Sequence, residues 1–127
     1  MILHIDTLST IPIYEQLRNQ IVLGIARKQL IANEDLPSVR RLAADLGINL
    51  HTVNKAYAQL ADEGYISMDR RRGAVVSAQT RTDAGFISNL SERLSLLAAE
   101  SICHEVNEAD FVKLCSEAYN NTKGVIS

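Results

Sequence analysis

The stretch INLHTVNKAY, Ile48 to Tyr57, concentrates hydrogen-bonding side chains at what reads as the start of a helix. Asn49, His51, Thr52, Asn54 and Lys55 fall on its outer side, and no acid stands among them. An amide fork pairs bidentately with adenine, and hydroxyl and imidazole groups read several base edges in a major groove. A helix N-terminus adds unpaired amides and a partial positive charge, which suit phosphate. Cations cluster on either side in sequence, at Arg40-Arg41 and at Arg70-Arg71-Arg72. Taken alone, such a face also fits a solvated helix with an asparagine cap. A second group with reactive side chains is Cys103, His104 and Cys115, which together could ligate a metal. Adjacent helical residues point about 100° apart, however, and neither CxxC nor HxxxH spacing is present. Cysteines on apolar stripes are more often small core residues.

The polar helix start needs elements to hold it, and the hydrophobic pattern supplies them. Residues 1 to 11 read as extended or loose, and Pro12 suits the first turn of a helix. Ile13, Leu17, Ile21 and Ile25, with Tyr14 and Val22, then recur at three- and four-residue steps, predicting a helix of about five turns ending near Leu30. IANED is a turn in which Asn33 tolerates the left-handed conformation. Pro37 breaks the chain, Ser38 caps a second helix carrying Val39, Leu42, Ala43 and Leu46, and Gly47 stops it. Asn49 caps a third, whose inner stripe is Val53, Ala56, Tyr57 and Leu60 and which Gly64 closes. Two short helices joined by a glycine-containing turn form a helix-turn-helix. The period then changes to two through Tyr65 to Met68. A charged tip from Asp69 to Arg72, then Gly73, Ala74, Val75 and Val76, completes a hairpin.

QTRTDAG, residues 79 to 85, is polar and without a periodic stripe, and marks a boundary. Beyond it Ile87, Leu90, Leu94 and Leu97 follow helical spacing, widened by Leu96, Ala98 and Ile102. Asn107 opens a last helix by capping Asp110, while Val106 and Phe111 occupy the positions of a hydrophobic staple. That helix carries Val112, Cys115 and Tyr119 and frays into NNTKGVIS.

At 127 residues the chain suits one domain with an appendage. No run nears the roughly 18 apolar residues of a membrane span, and Asp6 interrupts a start that lacks a basic signal-peptide region. Two cysteines form no disulfide framework, which makes a cytoplasmic setting the expectation. The net charge of −2 argues against a bulk polycation but not against a local DNA-binding field. Up to Thr80 there are nine Lys/Arg against eight Asp/Glu, and from Arg81 onward four against seven, so the tail alone carries −3.

LPSVRRLAADLGINLHTVNKAYAQLADEGYI, Leu36 to Ile66, resembles the DNA-binding domain of GntR-family bacterial transcription regulators. The likeness extends back to IPIYEQL, Ile11 to Leu17, and forward through Val76, while the short tail resembles the YtrA-like subfamily, which adds two helices for dimerisation. The resemblance implies that Arg40 contacts DNA from the second helix. It places Asn49, His51, Thr52 and Asn54 at or inside a recognition helix and Arg72-Gly73 at a wing tip reaching toward the minor groove. Four departures stand out. Arg41 replaces the usual glutamate and removes the capping box with Ser38; Asn54 replaces a basic residue; Arg71 takes the place of the first wing glycine; Asn33 replaces a turn glycine, a swap the backbone tolerates.

The expected protein is mainly α with a small β-hairpin: a winged helix-turn-helix over residues 1–80 and a helical dimerisation region over 81–127. The expected activity is sequence-specific DNA binding by a transcriptional regulator, a homodimeric repressor on a pseudo-palindromic, double-stranded operator. The expected DNA contacts are Arg40, Arg41, Asn49, His51, Thr52, Asn54, Lys55, Arg70, Arg71, Arg72 and Gly73. The expected dimer contacts are Ile87, Leu90, Leu94, Leu97, Phe111, Val112 and Cys115. No cofactor, membrane or enzymatic chemistry is expected, and room remains for a small-molecule effector that the residues do not identify. Two rivals stay open: a winged helix used for protein contacts, since fold does not dictate function, and a metal-responsive regulator using Cys103, His104 and Cys115.

Overall fold

A computed structural model describes residues 3–78 and 83–123. The chain divides into two compact units, Met1–Thr80 and Arg81–Ser127. The first holds α1 (Ile13–Ala26), α2 (Val39–Leu46), α3 (Leu50–Asp62), β1 (Ile66–Asp69) and β2 (Gly73–Val76); the second holds α4 (Ala84–Cys103) and α5 (Glu108–Lys123). The architecture is mainly helical with one small hairpin, as the pattern predicts.

In the first unit the helical stripes converge on α3, which packs against α1, α2 and β1. Leu17, Ile21, Val53, Ala56, Tyr57 and Leu60 have essentially no exposed surface, and Leu42, Ile66, Ala74 and Val76 close the same core. Burying a Leu- or Val-sized side chain in this way stabilises the fold by roughly 1.5–3 kcal/mol. Tyr57 places its ring in this core and donates its hydroxyl to the Pro37 carbonyl at 2.7 Å. Burial pushes its pKa from 10.0 up to about 12. The strands pair antiparallel with Ile66 opposite Val76 and Asp69 opposite Gly73. The segment before α2 lies along the other edge of β2: Asp35 bridges Val75, Leu36 N–H donates to the Ala74 carbonyl and Val76 N–H to that of Glu34, both at 2.9 Å.

Two expectations need correction. Helix α1 stops at Ala26 rather than near Leu30. Lys28 takes φ 63°, Gln29 N–H reaches the Gly24 carbonyl (2.9 Å) and Lys28 N–H that of Ile25 (3.2 Å). This is a Schellman ending built without glycine. It folds Leu30 back onto Gly24, where a Cβ would come within 3.1 Å of Leu30 Cδ1. Apolar periodicity runs on through Leu30 because that residue is buried, although not on the helix. The N-terminal segment is also tied down rather than loose. The buried Gln16 accepts from Asp6 N–H (2.9 Å) and donates to the carbonyls of Asp6 (2.9 Å) and Ile11 (2.8 Å), while Gln20 exchanges hydrogen bonds with the backbone of His4.

In the second unit α4 starts at Asp83, whose carboxylate accepts from Phe86 N–H at 2.7 Å. It ends with Glu105 at φ 61° and Val106 N–H on the Ser101 carbonyl at 2.8 Å, a second Schellman ending. Asn107 caps α5 as predicted, accepting from Asp110 N–H at 2.8 Å. Val106 and Phe111 are half-buried and line one apolar hollow, as a staple requires. No described residue of α4 or α5 is buried. The two helices face each other across an open groove of about 610 Å³ lined by Ile87, Leu90, Leu94, Ala98, Phe111 and Cys115. Of the expected boundary, residues 79–82 lie outside the described residues, as do residues 124–127 of the expected frayed end.

Candidate nucleic-acid interface

The helix-turn-helix is set by its caps. Ser38 Oγ accepts from Arg41 N–H at 3.1 Å, so replacing the usual glutamate with Arg41 removes only the reciprocal half of the box. Gly47, at φ 67°, turns the chain between α2 and α3. Asn49 Oδ1 then accepts from His51 N–H at 2.7 Å and starts α3, whose first turn contains no acid. With Val53, Ala56, Tyr57 and Leu60 committed to the core, His51 and Asn54 are left exposed on the other side and Thr52 half-buried.

Not all of the polar side chains are equally free. The Asn49 side-chain oxygen is occupied as a cap, which leaves its amide hydrogens as donors. Lys55 extends back over the Tyr14 ring of α1, its Nζ 4.0 Å from the centroid, a cation–π contact that holds its stem against the domain. Arg41 lies 3.7 Å from Asp45, one helical turn on, with both side chains well exposed. Arg40 is exposed, and its side chain makes no hydrogen bond or ion pair among the described residues.

The wing tip is built on Asp69. Its carboxylate accepts from the backbone N–H groups of Arg71 (2.7 Å) and Arg72 (3.1 Å). Those two bonds hold it below the usual carboxylate range. Gly73, at φ 83°, completes the turn, so the glycine missing at Arg71 is replaced by an aspartate-capped tip. All three arginines are exposed, but Arg72 turns back toward the body. Its Nε lies 2.8 Å and its Nη2 2.6 Å from Asp35 Oδ1, and Nη2 also donates to the Asn33 carbonyl at 2.6 Å.

Sequence reasoning missed two pairs that brace this surface. Arg18 of α1 grips Glu63, the C-cap of α3, through two bonds of 3.0 and 3.2 Å and stacks over the Tyr65 ring at 5.5 Å. Asp35 holds Arg72 from 37 residues away. Neither pairing leaves a local signal, since both join segments brought together only by the core. Cys103 and Cys115 are exposed free thiols, and no group of three or more His, Cys, Asp and Glu among the described residues could hold a metal. No helix among the described residues is long and apolar enough to cross a membrane.

Three helices, a glycine turn, an acid-free third-helix start and a basic two-stranded wing define a winged-helix DNA-binding transcription regulator. Residues 12–76 match the sequence profile described as bacterial regulatory proteins, gntR family, and the chain belongs to that family. It is 35% identical over 101 residues to the HTH-type transcriptional repressor YtrA of Bacillus subtilis (strain 168), covering 78% of each chain. Among solved structures, YtrA from Sulfolobus acidocaldarius, described as a GntR-family transcription factor, matches 76% of this chain and 99% of its own with a TM-score of 0.62 and 38% identity. A protein described as a transcriptional antiterminator from Listeria monocytogenes EGD-e matches 97% of this chain and 93% of its own with a TM-score of 0.91 at 26% identity.

Proposed function

We propose that this regulator is a cytoplasmic, homodimeric repressor that binds a pseudo-palindromic operator. Residues 1–80 would read DNA and residues 81–127 would join two copies. The carrying observation is the start of α3: capped, free of acid, and facing outward with His51 and Asn54 while its other side is locked in the core. His51, Asn54 and the Asn49 amide contribute base-edge hydrogen bonds in the major groove. Arg40, Arg41, Thr52, Lys55 and, at the wing tip that Arg72 and Gly73 shape, Arg70 and Arg71 serve the phosphates and the adjoining minor groove.

The unburied second unit supports dimerisation. Ile87, Leu90, Leu94 and Leu97 of α4 and Phe111, Val112 and Cys115 of α5 form an apolar surface that two helices cannot cover by themselves. A second copy related by a two-fold axis covers it with the same residues and sets two recognition helices on two half-sites. The repressor role is supported by the relationship to Bacillus subtilis YtrA, itself a repressor.

The test is selection of preferred duplexes from a random library by the full-length protein, followed by salt titration and sedimentation. The expected results are a two-fold symmetric motif, a dimer, and a log–log salt slope of roughly −6 to −10. His51→Ala and Asn54→Ala should alter the selected bases, whereas Arg40→Ala should weaken selected and random DNA alike by about 1–2 kcal/mol. A salt-independent affinity, or the parental motif returned at full strength by both α3 variants, would refute the reading.

A further inference from the structure

The three wing arginines are not equivalent in the fold, and the difference assigns them different work. Arg72 is anchored on both its backbone and its side chain. Its N–H, with that of Arg71, is held by Asp69, and its guanidinium is held by Asp35 and the Asn33 carbonyl. Asp35 is a fixed point: it bridges Val75 of β2, and the next residue, Leu36, is buried in the core. All three arginines are exposed, but Arg70 and Arg71 make no side-chain hydrogen bond or ion pair among the described residues. A hairpin of two four-residue strands is marginal by itself, so its tip needs a link to the body to hold one direction.

From this we infer that Arg72 is a positioning residue: its clip to Asp35 and Asn33 fixes the direction of the wing, and Arg70 and Arg71 are the cations the wing presents to phosphate. The inference rests on the DNA-binding function proposed above and divides the wing within it. The Nε and Nη2 hydrogens of Arg72 are already committed to a carboxylate and a carbonyl, and the adjacent Asp35 offsets its charge, so it has only Nη1 to offer a phosphate, whereas Arg70 and Arg71 give up only water. Asp35 is then a positive contributor to DNA binding despite its charge. On electrostatics alone, an acid beside a DNA-facing wing should weaken it.

That sign is the test. Full-length variants are titrated with the duplex selected by the parent protein, over a series of salt concentrations. Arg70→Ala and Arg71→Ala should each lower the salt slope by about one per protomer. Arg72→Ala should lose affinity, on the order of tenfold, with the slope unchanged, because no phosphate contact is removed. Asp35→Ala should lower affinity in the parent background and leave it unchanged or raised in the Arg72→Ala background. Circular dichroism checks that each variant is folded, and Asp35→Ala alone decides the question if Arg72→Ala is not. Overturning results are an Arg72→Ala slope that falls like that of Arg70→Ala, an Arg72→Ala affinity equal to the parent's, or a gain of affinity on removing Asp35 from the parent. Absence of DNA binding by the parent itself would instead refute the function on which the inference rests.

Discussion

The two units of this chain carry similar apolar stripes and treat them in opposite ways. In residues 3–78 the stripes of α1, α2 and α3 meet one another and the hairpin, and Leu17, Ile21, Val53 and Leu60 lose all contact with solvent. In residues 83–123 equally regular stripes stay open: Leu90 and Leu94 keep about two-fifths of their surface, while Ile102 is 74% and Tyr119 70% exposed. Three helices and a hairpin enclose a volume; two helices have only one mutual face, and the rest of each stripe stays open. A core closed within the chain makes the first unit a folding unit. The open stripe of the second is what supports the assembly role proposed for it.

The contrast can be broken most forcefully by cutting between the units. A chain ending at Thr80 should fold, remain monomeric and lose on the order of 10²- to 10⁴-fold in operator affinity, since the two recognition helices are no longer linked. Sedimentation and gel shifts check this; equal affinity in the shortened chain would show that the second unit does not join two readers.

Paired truncations of leucine sharpen it further. Leu17→Ala should cost about 2–5 kcal/mol of first-unit stability, the transfer and cavity cost of a fully buried site. Leu97→Ala, at an exposed position, should leave that unfolding unchanged and weaken self-association instead. Denaturant melts and concentration-dependent sedimentation of both variants separate the two losses.

A smaller effect belongs to Tyr57. Tyr57→Phe should cost about 1–2 kcal/mol, because the Pro37 carbonyl loses its donor. The same hydroxyl predicts an alkaline transition. Its folded pKa of about 12 lies above the ordinary 10.0, so its contribution is complete below pH 10 and is lost as pH rises toward 12. Stability measured across that range should fall in the parent and fall less in Tyr57→Phe. The described residues of the second unit include no buried tyrosine and should contribute nothing to the step.

The smallest change in stability is expected at the wing. Asp69 has its pKa lowered by two backbone N–H bonds. Its contribution is therefore present above the ordinary carboxylate value and lost only as pH falls through the lowered one. Protection of the Arg71 and Arg72 amides, relative to their intrinsic exchange rate at the same pH, should fall in that acid window, and at neutral pH in Asp69→Ala, while the α1–α3 core remains protected.

Most elements of this fold were legible because their signals are local. Ser38, Gly47, Asn49, Gly64 and Asn107 act within one turn of their own position, and the stripes of α3 and α4 are periodicities along single helices. Asn33 and Gly73 mark left-handed turns by their types alone. The sequence also determined which side chains the start of α3 could offer to DNA, since the buried positions of one helix fix what remains outside. Only the tertiary structure decided where α1 ends, because Leu30 is apolar for its contact with Gly24 and not for its place on a helix. It likewise decided which of the basic residues are free. Lys55 lies over Tyr14, Arg18 on Glu63 and Arg72 on Asp35, each through a partner 37 to 45 residues distant. The physical reason is one of range: caps and stripes are set by neighbours along the chain, whereas an ion pair between distant segments exists only after the core has brought them together.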